Sequence, residues 1–158
     1  MSSILYNTWG EFRHAAEQIL DLTTHELCIF DADLAQLGLN QLASIERLQR
    51  LLAGNPAASI RIALKRTDHL HRDHPRLIQL LGRYGHRVHL QQIPDNLAHL
   101  RDTLVISDAR HALIRFDQDH PRGKLILAEP EKIIVYRQRF DDIWNEGGTP
   151  FSPAPLGL

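Results

Sequence analysis

The sequence has one cysteine, Cys28, so no disulfide can form within the chain. Cys28 lies in the apolar run Leu27-Cys28-Ile29-Phe30 with nothing beside it to lower its pKa, and it reads as a small buried side chain. No apolar stretch approaches the ~20 residues that cross a bilayer, and Met1-Ser2-Ser3-Ile4 lacks the charged and apolar regions of a signal peptide. A soluble cytoplasmic protein of bacterial type, with no membrane partner, is the expectation. There is no glycine-rich phosphate loop, Ser-centred elbow or paired-cysteine motif, so the usual nucleotide-binding, serine-hydrolase and zinc-ribbon signatures are unfilled and no cofactor is expected. Charge of one sign is also lacking. Lys plus Arg number 18 against 19 Asp plus Glu, a net charge of −1 that offers no general attraction to a polyanion, so nucleic acid is not the expected partner.

What is present is ordinary for one globular domain: 158 residues, 43% hydrophobic and 23% charged. A chain of this length buries roughly two thirds of its unfolded surface, so its core needs no metal or disulfide. The charge is uneven. Residues 1–57 carry −4, residues 58–92 carry +5 with five of the ten histidines, and residues 93–158 carry −2.

Trp9, Phe12, Ala16, Ile19 and Leu20 recur at helical spacing and predict a helix over about 8–21. The run 27–30 is apolar without alternation, as in a strand covered on both faces, and leads into Asp31-Ala32-Asp33. A helix through Leu42, Ile45, Leu48 and Leu52 stops at Gly54-Asn55-Pro56, and Ile60, Ile62 and Leu64 alternate as a second strand. Residues 65–74 read as a polar loop, and Pro75 opens a helix that ends at Gly85. Short strands are then expected at 88–90, 103–106, 112–116 and 125–127, before a helix from Pro130 that Gly147-Gly148 closes. Trp9 and Trp144 lie on apolar stripes and read as core. Strands separated by helices should be parallel and consecutive ones antiparallel, giving an α/β fold with a mixed sheet and helices on both faces. One domain over 1–148 and a disordered, proline-containing tail over 149–158 complete the expectation.

Two stretches could carry chemistry. The run His69-Leu70-His71-Arg72-Asp73-His74 resembles the metal-binding motif of the metallo-β-lactamase superfamily. In that setting His69, His71, Asp73 and His74 would hold one or two zinc ions and generate hydroxide at neutral pH. That superfamily needs a packed half of mostly antiparallel strands ahead of the motif, and too few residues precede His69. A solvated loop capped by Asp73 is therefore the main reading and a metallohydrolase the alternative.

The second is His99-Leu100-Arg101-Asp102-Thr103-Leu104-Val105-Ile106-Ser107-Asp108, followed by a further strand and by Phe140-Asp141-Asp142-Ile143-Trp144. With the order of elements over about 22–146, it resembles a single lobe of the phospholipase D superfamily, which carries His-x-Lys-x4-Asp on a hairpin. Matching Asp108 to the motif's Asp puts Arg101 at the His position and Thr103 at the Lys position, while Ala109 replaces the glycine that follows. A guanidinium that stays protonated cannot attack phosphorus, so the motif reads as degenerate. His99 stands two residues early; a phosphodiesterase using it is the enzymatic alternative. Such lobes work face to face in pairs, so the resemblance implies a binding or interaction module that forms a homodimer or docks on a partner protein. Arg101, Arg110 and Arg115, with Arg137 and Arg139, could hold a phosphate-containing ligand, or could pair with Asp102, Asp117, Asp141 and Asp142.

Overall fold

The computed structural model describes residues 2–154. Among the described residues eight strands form one sheet, in the order β1 (Ser2–Tyr6), β7 (Gly123–Leu127), β6 (His111–Arg115), β5 (Thr103–Ser107), β2 (Glu26–Asp31), β3 (Ser59–Leu64), β4 (Val88–Gln92) and β8 (Thr149–Pro150). The parallel part is β2 (Glu26–Asp31), β3 (Ser59–Leu64) and β4 (Val88–Gln92), linked by α2 (Leu42–Gly54) and by α3 (Leu70–Asp73) with α4 (Pro75–Arg83). The antiparallel part is β5 (Thr103–Ser107), β6 (His111–Arg115) and β7 (Gly123–Leu127), with β5 running beside β2. The mixed sheet of the sequence reading is present.

Alternation along the strands sends side chains to two cores. Leu27, Ile29, Ile60, Ile62, Val105 and Leu113 face α1 (Trp9–Leu22), α2 and α4. Cys28, Phe30, Ala63, Leu104, Ile106 and Ile114 face α5 (Pro130–Trp144). Helices thus cover both faces, and burial pushes the Cys28 thiol up to about 11, which leaves it inert at neutral pH. Helix α1 starts with a capping box: the Glu11 N–H donates to Thr8 Oγ1 at 3.1 Å, and the Thr8 N–H donates back to Glu11 Oε1 at 3.2 Å.

Three expectations need correction. Residues 2–6 were given no element, yet β1 (Ser2–Tyr6) pairs antiparallel with β7 at the sheet edge. Five residues are too few for a period to emerge, and the ladder partner lies more than a hundred residues away. The loop 65–74 contains α3, because Leu70 is fully buried and pins a turn of helix there. The tail is not wholly free: β8 (Thr149–Pro150) pairs with β4, and the Phe151 N–H donates to the Leu90 carbonyl at 2.8 Å. The sheet therefore runs past the expected boundary at 148, while residues 155–158 of that tail lie outside the described residues.

Two backbone sites are tightly specified. Three residues, Asp108 to Arg110, join the paired Ser107 and His111, and the turn rests on Asp108 and Ala109, both left-handed with φ of 56° and 53°, closed by the Arg110 N–H donating to the Ser107 carbonyl at 3.0 Å. Gly123 lies under β1: a Cβ there would fall 2.0 Å from the Ile114 carbonyl oxygen and 2.4 Å from the Tyr6 hydroxyl, which donates to that carbonyl at 2.7 Å. Gly123→Ala is expected to lower unfolding free energy by roughly 3 kcal/mol in urea titrations. Ala109→Gly should raise it by up to about 1 kcal/mol, because it relieves a left-handed alanine.

Candidate functional site

The end of β2, the start of β5 and the end of β6 meet at one edge of the α1-side core. Thr103 pairs in register with Arg115, and Phe30 with Leu104, so strand parity puts Asp31, Thr103 and Arg115 on the same face. The three form a closed ionic cluster. The Thr103 hydroxyl donates to Asp31 Oδ1, and Arg115 Nη2 donates to Asp31 Oδ1 at 3.1 Å and to Thr103 Oγ1 at 3.0 Å. Asp31 Oδ2 accepts from the Leu34 N–H at 2.8 Å. The guanidinium lies 5.0 Å from the Trp9 ring centroid and 4.8 Å from that of Phe12, within cation–π reach of both. Arg115 Nε and Nη1 have no hydrogen-bond partner, and its side chain is 2% exposed against 1% for Asp31.

Arg101 stands on the exposed lip of this cluster. Its Nε and Nη2 grip the Asp117 carboxylate at 2.9 and 3.0 Å, and Nη2 also donates to Asp119. This grip holds the Asp117 carboxyl down at about 2. Alongside, Lys65 Nζ donates to the Leu100 carbonyl at 2.8 Å. His99 is exposed and makes no hydrogen bond among the described residues.

Asp108 lies at the other end of β5, some 17 Å along a five-residue strand. Its carboxylate accepts from the N–H groups of Thr24, His25 and Glu26 at 2.8–2.9 Å and from the Thr24 hydroxyl at 3.0 Å, tying the hairpin to the start of β2. Partial burial opposes ionisation, but these donors prevail and keep its pKa low. Asp108 is a structural anchor.

The expected convergence of five arginines does not occur. Arg115 is buried on the α1 face, and Arg110 lies in the hairpin turn at the opposite end of β5 from Arg101. Arg137 and Arg139 belong to α5, across the sheet from Arg115: the first binds Glu26 and Asp141, the second grips Asp102 at 2.8 and 2.7 Å. Hairpin reversal and strand parity separate them, and of the five Arg110 alone lacks a carboxylate partner among the described residues.

The histidine run also departs from its metal-site alternative. His69 Nε2 meets the Asp33 carbonyl at 2.7 Å, and the His74 ring is buried beside the Leu34 carbonyl. His71 faces Phe151, centroids 5.4 Å apart, while Asp73 pairs with Arg72 at 2.8 Å. The His69 and His74 rings stay together, centroids 6.0 Å apart, while His71 and Asp73 are turned to other partners, and no group of three or more His, Cys, Asp or Glu is placed to hold a metal among the described residues. Burial, then the neighbouring His69, keeps His74 below the usual imidazole pKa. Asp31, Trp9 and Phe12 are the site residues that sequence reasoning missed. The available signal was a carboxylate closing an otherwise apolar strand.

A parallel β-α-β-α-β unit, an antiparallel hairpin beside its first strand and a covering C-terminal helix define a phospholipase D-like lobe. The chain belongs to the family described as "Domain of unknown function (DUF7931)", whose model matches residues 8–150. No curated protein matches the sequence. Among solved structures, TrmBL2, an archaeal chromatin protein, superposes with a TM-score of 0.70 at 10% identity over 96% of this chain and 55% of that one. The chain therefore spans about half the length of TrmBL2. NUC from Salmonella typhimurium, a phospholipase D family member, gives 0.64 at 13% identity over 96% of this chain and 98% of that one. NucT from Helicobacter pylori gives 0.59 at 14% over 95% and 99%. These likenesses establish the fold.

Arg115→Ala should lower stability by about 3–5 kcal/mol in chemical denaturation, because it leaves the Asp31 carboxylate buried without its cation. Replacing Asp31 by Leu and Arg115 by Met together should cost less, since no charge is then stranded. The Asp117 carboxyl, depressed to about 2, keeps its pairing with Arg101 above the ordinary carboxylate range and loses it as pH falls from about 4 to about 2. An NMR titration of Asp117 should show that low midpoint in the wild type and a return towards about 4 in Arg101→Ala.

Proposed function

We propose that this chain is a non-catalytic phospholipase D-like lobe that serves as a binding module and pairs with a second copy of itself. The observation that carries the reading is the ionic cluster at the motif position. Thr103, matched to the motif's lysine, is fully buried, donates a hydrogen bond to Asp31 and accepts one from Arg115. Arg101, matched to the nucleophile, has no lone pair to offer and is held by two aspartates. His99 has no hydrogen-bonded partner to orient or activate it among the described residues.

TrmBL2, an archaeal chromatin protein with a novel mode of DNA binding, supports a binding role for this fold. Nucleic acid is disfavoured for this chain by its net charge of −1 and by the carboxylates paired with many of its arginines. Self-pairing is supported by β1, a free sheet edge without charge, on which Ile4 and Leu5 are 50% and 67% exposed. No described helix is long and apolar enough to cross a membrane, which is compatible with a cytoplasmic location.

The purified chain should release no p-nitrophenol from bis-p-nitrophenyl phosphate above background, and turnover that His99→Ala abolishes would overturn the non-catalytic reading. Sedimentation equilibrium should give twice 18.1 kDa at tens of micromolar, with Leu5→Lys shifting the species to the monomer mass. A wild type that sediments only as the monomer removes self-pairing.

A further inference from the structure

Helix α5 turns Ile133, Phe140 and Ile143 into the core, yet Ile134 and Val135 on its outer face are 68% and 65% exposed. With Leu5 they are the most exposed large apolar side chains among the described residues, and such a patch marks a surface that something covers. Glu131 lies one turn before them and Asp142 two turns after, on the same side of the helix, since 131, 135, 138 and 142 recur at three- and four-residue spacing. The cations of α5 are already matched: Lys132 pairs with Glu129, Arg137 with Glu26 and Asp141, and Arg139 with Asp102. Glu131 and Asp142 have no cation among the described residues, and Asp142 accepts only from Gln138 Nε2 at 3.2 Å. The outer face of α5 is therefore an apolar ridge with an unpaired carboxylate towards each end.

On the opposite face of the sheet, α2 and α4 leave a groove of about 360 Å³ between them. Leu42, itself 56% exposed, lines it together with the buried Ile45 and Leu80, and Arg76 and Arg83 supply its charge. Arg83 makes no ion pair or hydrogen bond among the described residues, and the Arg76 guanidinium has only the Asn40 carbonyl, at 3.0 Å. Helix α4 contains no acidic residue, and Glu46, the one acid of α2, does not line the groove.

Ridge and groove are complementary in charge and in length. Arg76 and Arg83 stand about 10 Å apart along α4, and Glu131 and Asp142 about 16 Å apart along α5, a difference that two flexible arginine side chains span. A helix laid into an apolar groove with charges at its margin is a recurring mode of recognition. Because α5 and the groove lie on opposite faces of the sheet, two copies cannot satisfy both contacts between themselves. The contact must pass from each copy to the next.

We propose that the outer face of α5 of one copy docks in the groove between α2 and α4 of the next, so that the chain assembles head to tail. Ile134 and Val135 meet Leu42, and the carboxylates of Glu131 and Asp142 meet Arg76 and Arg83. This contact goes beyond the two-fold pairing through β1 and uses none of its residues, so either one can fail while the other stands.

The test is sedimentation equilibrium of the full chain carrying Leu5→Lys, which removes the β1 contact, at concentrations up to about 1 mM and low ionic strength. The average mass should climb with concentration past twice 18.1 kDa without levelling, and about 0.5 M NaCl should lower it, because the charges at the margin are then screened. Added to that chain, Arg83→Glu and Val135→Glu should each hold it at the monomer mass. Both positions are exposed, so both variants should keep the wild-type circular dichroism. Mixed in equal amounts, the two variants have one intact ridge and one intact groove between them, and the mixture should form a one-to-one pair and grow no further. A Leu5→Lys chain that stays at 18.1 kDa throughout overturns the proposal, as does association that Arg83→Glu or Val135→Glu leaves unchanged. A mass that levels at twice the monomer, or a mixture that stays monomeric, overturns the head-to-tail geometry.

Discussion

A carboxylate and a guanidinium buried together set the terms for this fold. Taking either ion from water alone is prohibitive, and the pair is tolerated only where hydrogen bonds and ring faces replace the lost hydration. Asp31, Thr103 and Arg115 meet that condition by drawing on separate elements: β2, β5, β6, the two aromatic rings of α1 and the backbone of the loop that follows β2. A register slip of one residue in any of the three strands would turn one member to the α5 side and strand the others. The cluster therefore ties strand register, the placement of α1 and the course of the loop over 31–41 to one requirement. The same requirement withdraws Thr103 from chemistry.

The two ends of β5 divide the remaining polar work. At one end Asp108 gathers three backbone donors and joins the hairpin to β2. At the other, Arg101 binds the aspartates of the segment after β6, and Lys65 reaches the Leu100 carbonyl. Neither end presents an imidazole to the position where the resembled motif has one. Beyond β2 and β3, the loops 31–41 and 65–74 are tied together in part by His69 on the Asp33 carbonyl.

Much of this was legible in the chain. Apolar periodicity and the Gly and Pro stops marked all four of the longer helices, α1, α2, α4 and α5, and the six central strands, because those elements are long or strongly patterned. The edges were not. Strands β1 and β8 have five and two residues, and their pairing depends on partners far away in sequence. The site was half legible. That Arg101 and Thr103 break the motif follows from spacing alone, whereas the partner of Arg115 is 84 residues away and had no local signature. The histidine run was read mainly as a polar loop; its single helical turn was not legible, and it sends His71 to Phe151 while His69 and His74 stay 6.0 Å apart.

The pairing of β1 with β7 also sets an order of events during synthesis. Ser2 finds its register opposite Leu127, so the first strand cannot be closed until the seventh has been made. At translation rates of 5–20 residues per second, the wait is on the order of ten seconds. Throughout that interval the α1, α2 and α4 side of the core can form around the parallel strands, which need only nearer partners. The uncharged segment Ser3-Ile4-Leu5-Tyr6 meanwhile has no strand of its own chain to pair with, and it is the part of the nascent molecule most open to a neighbour on the same message.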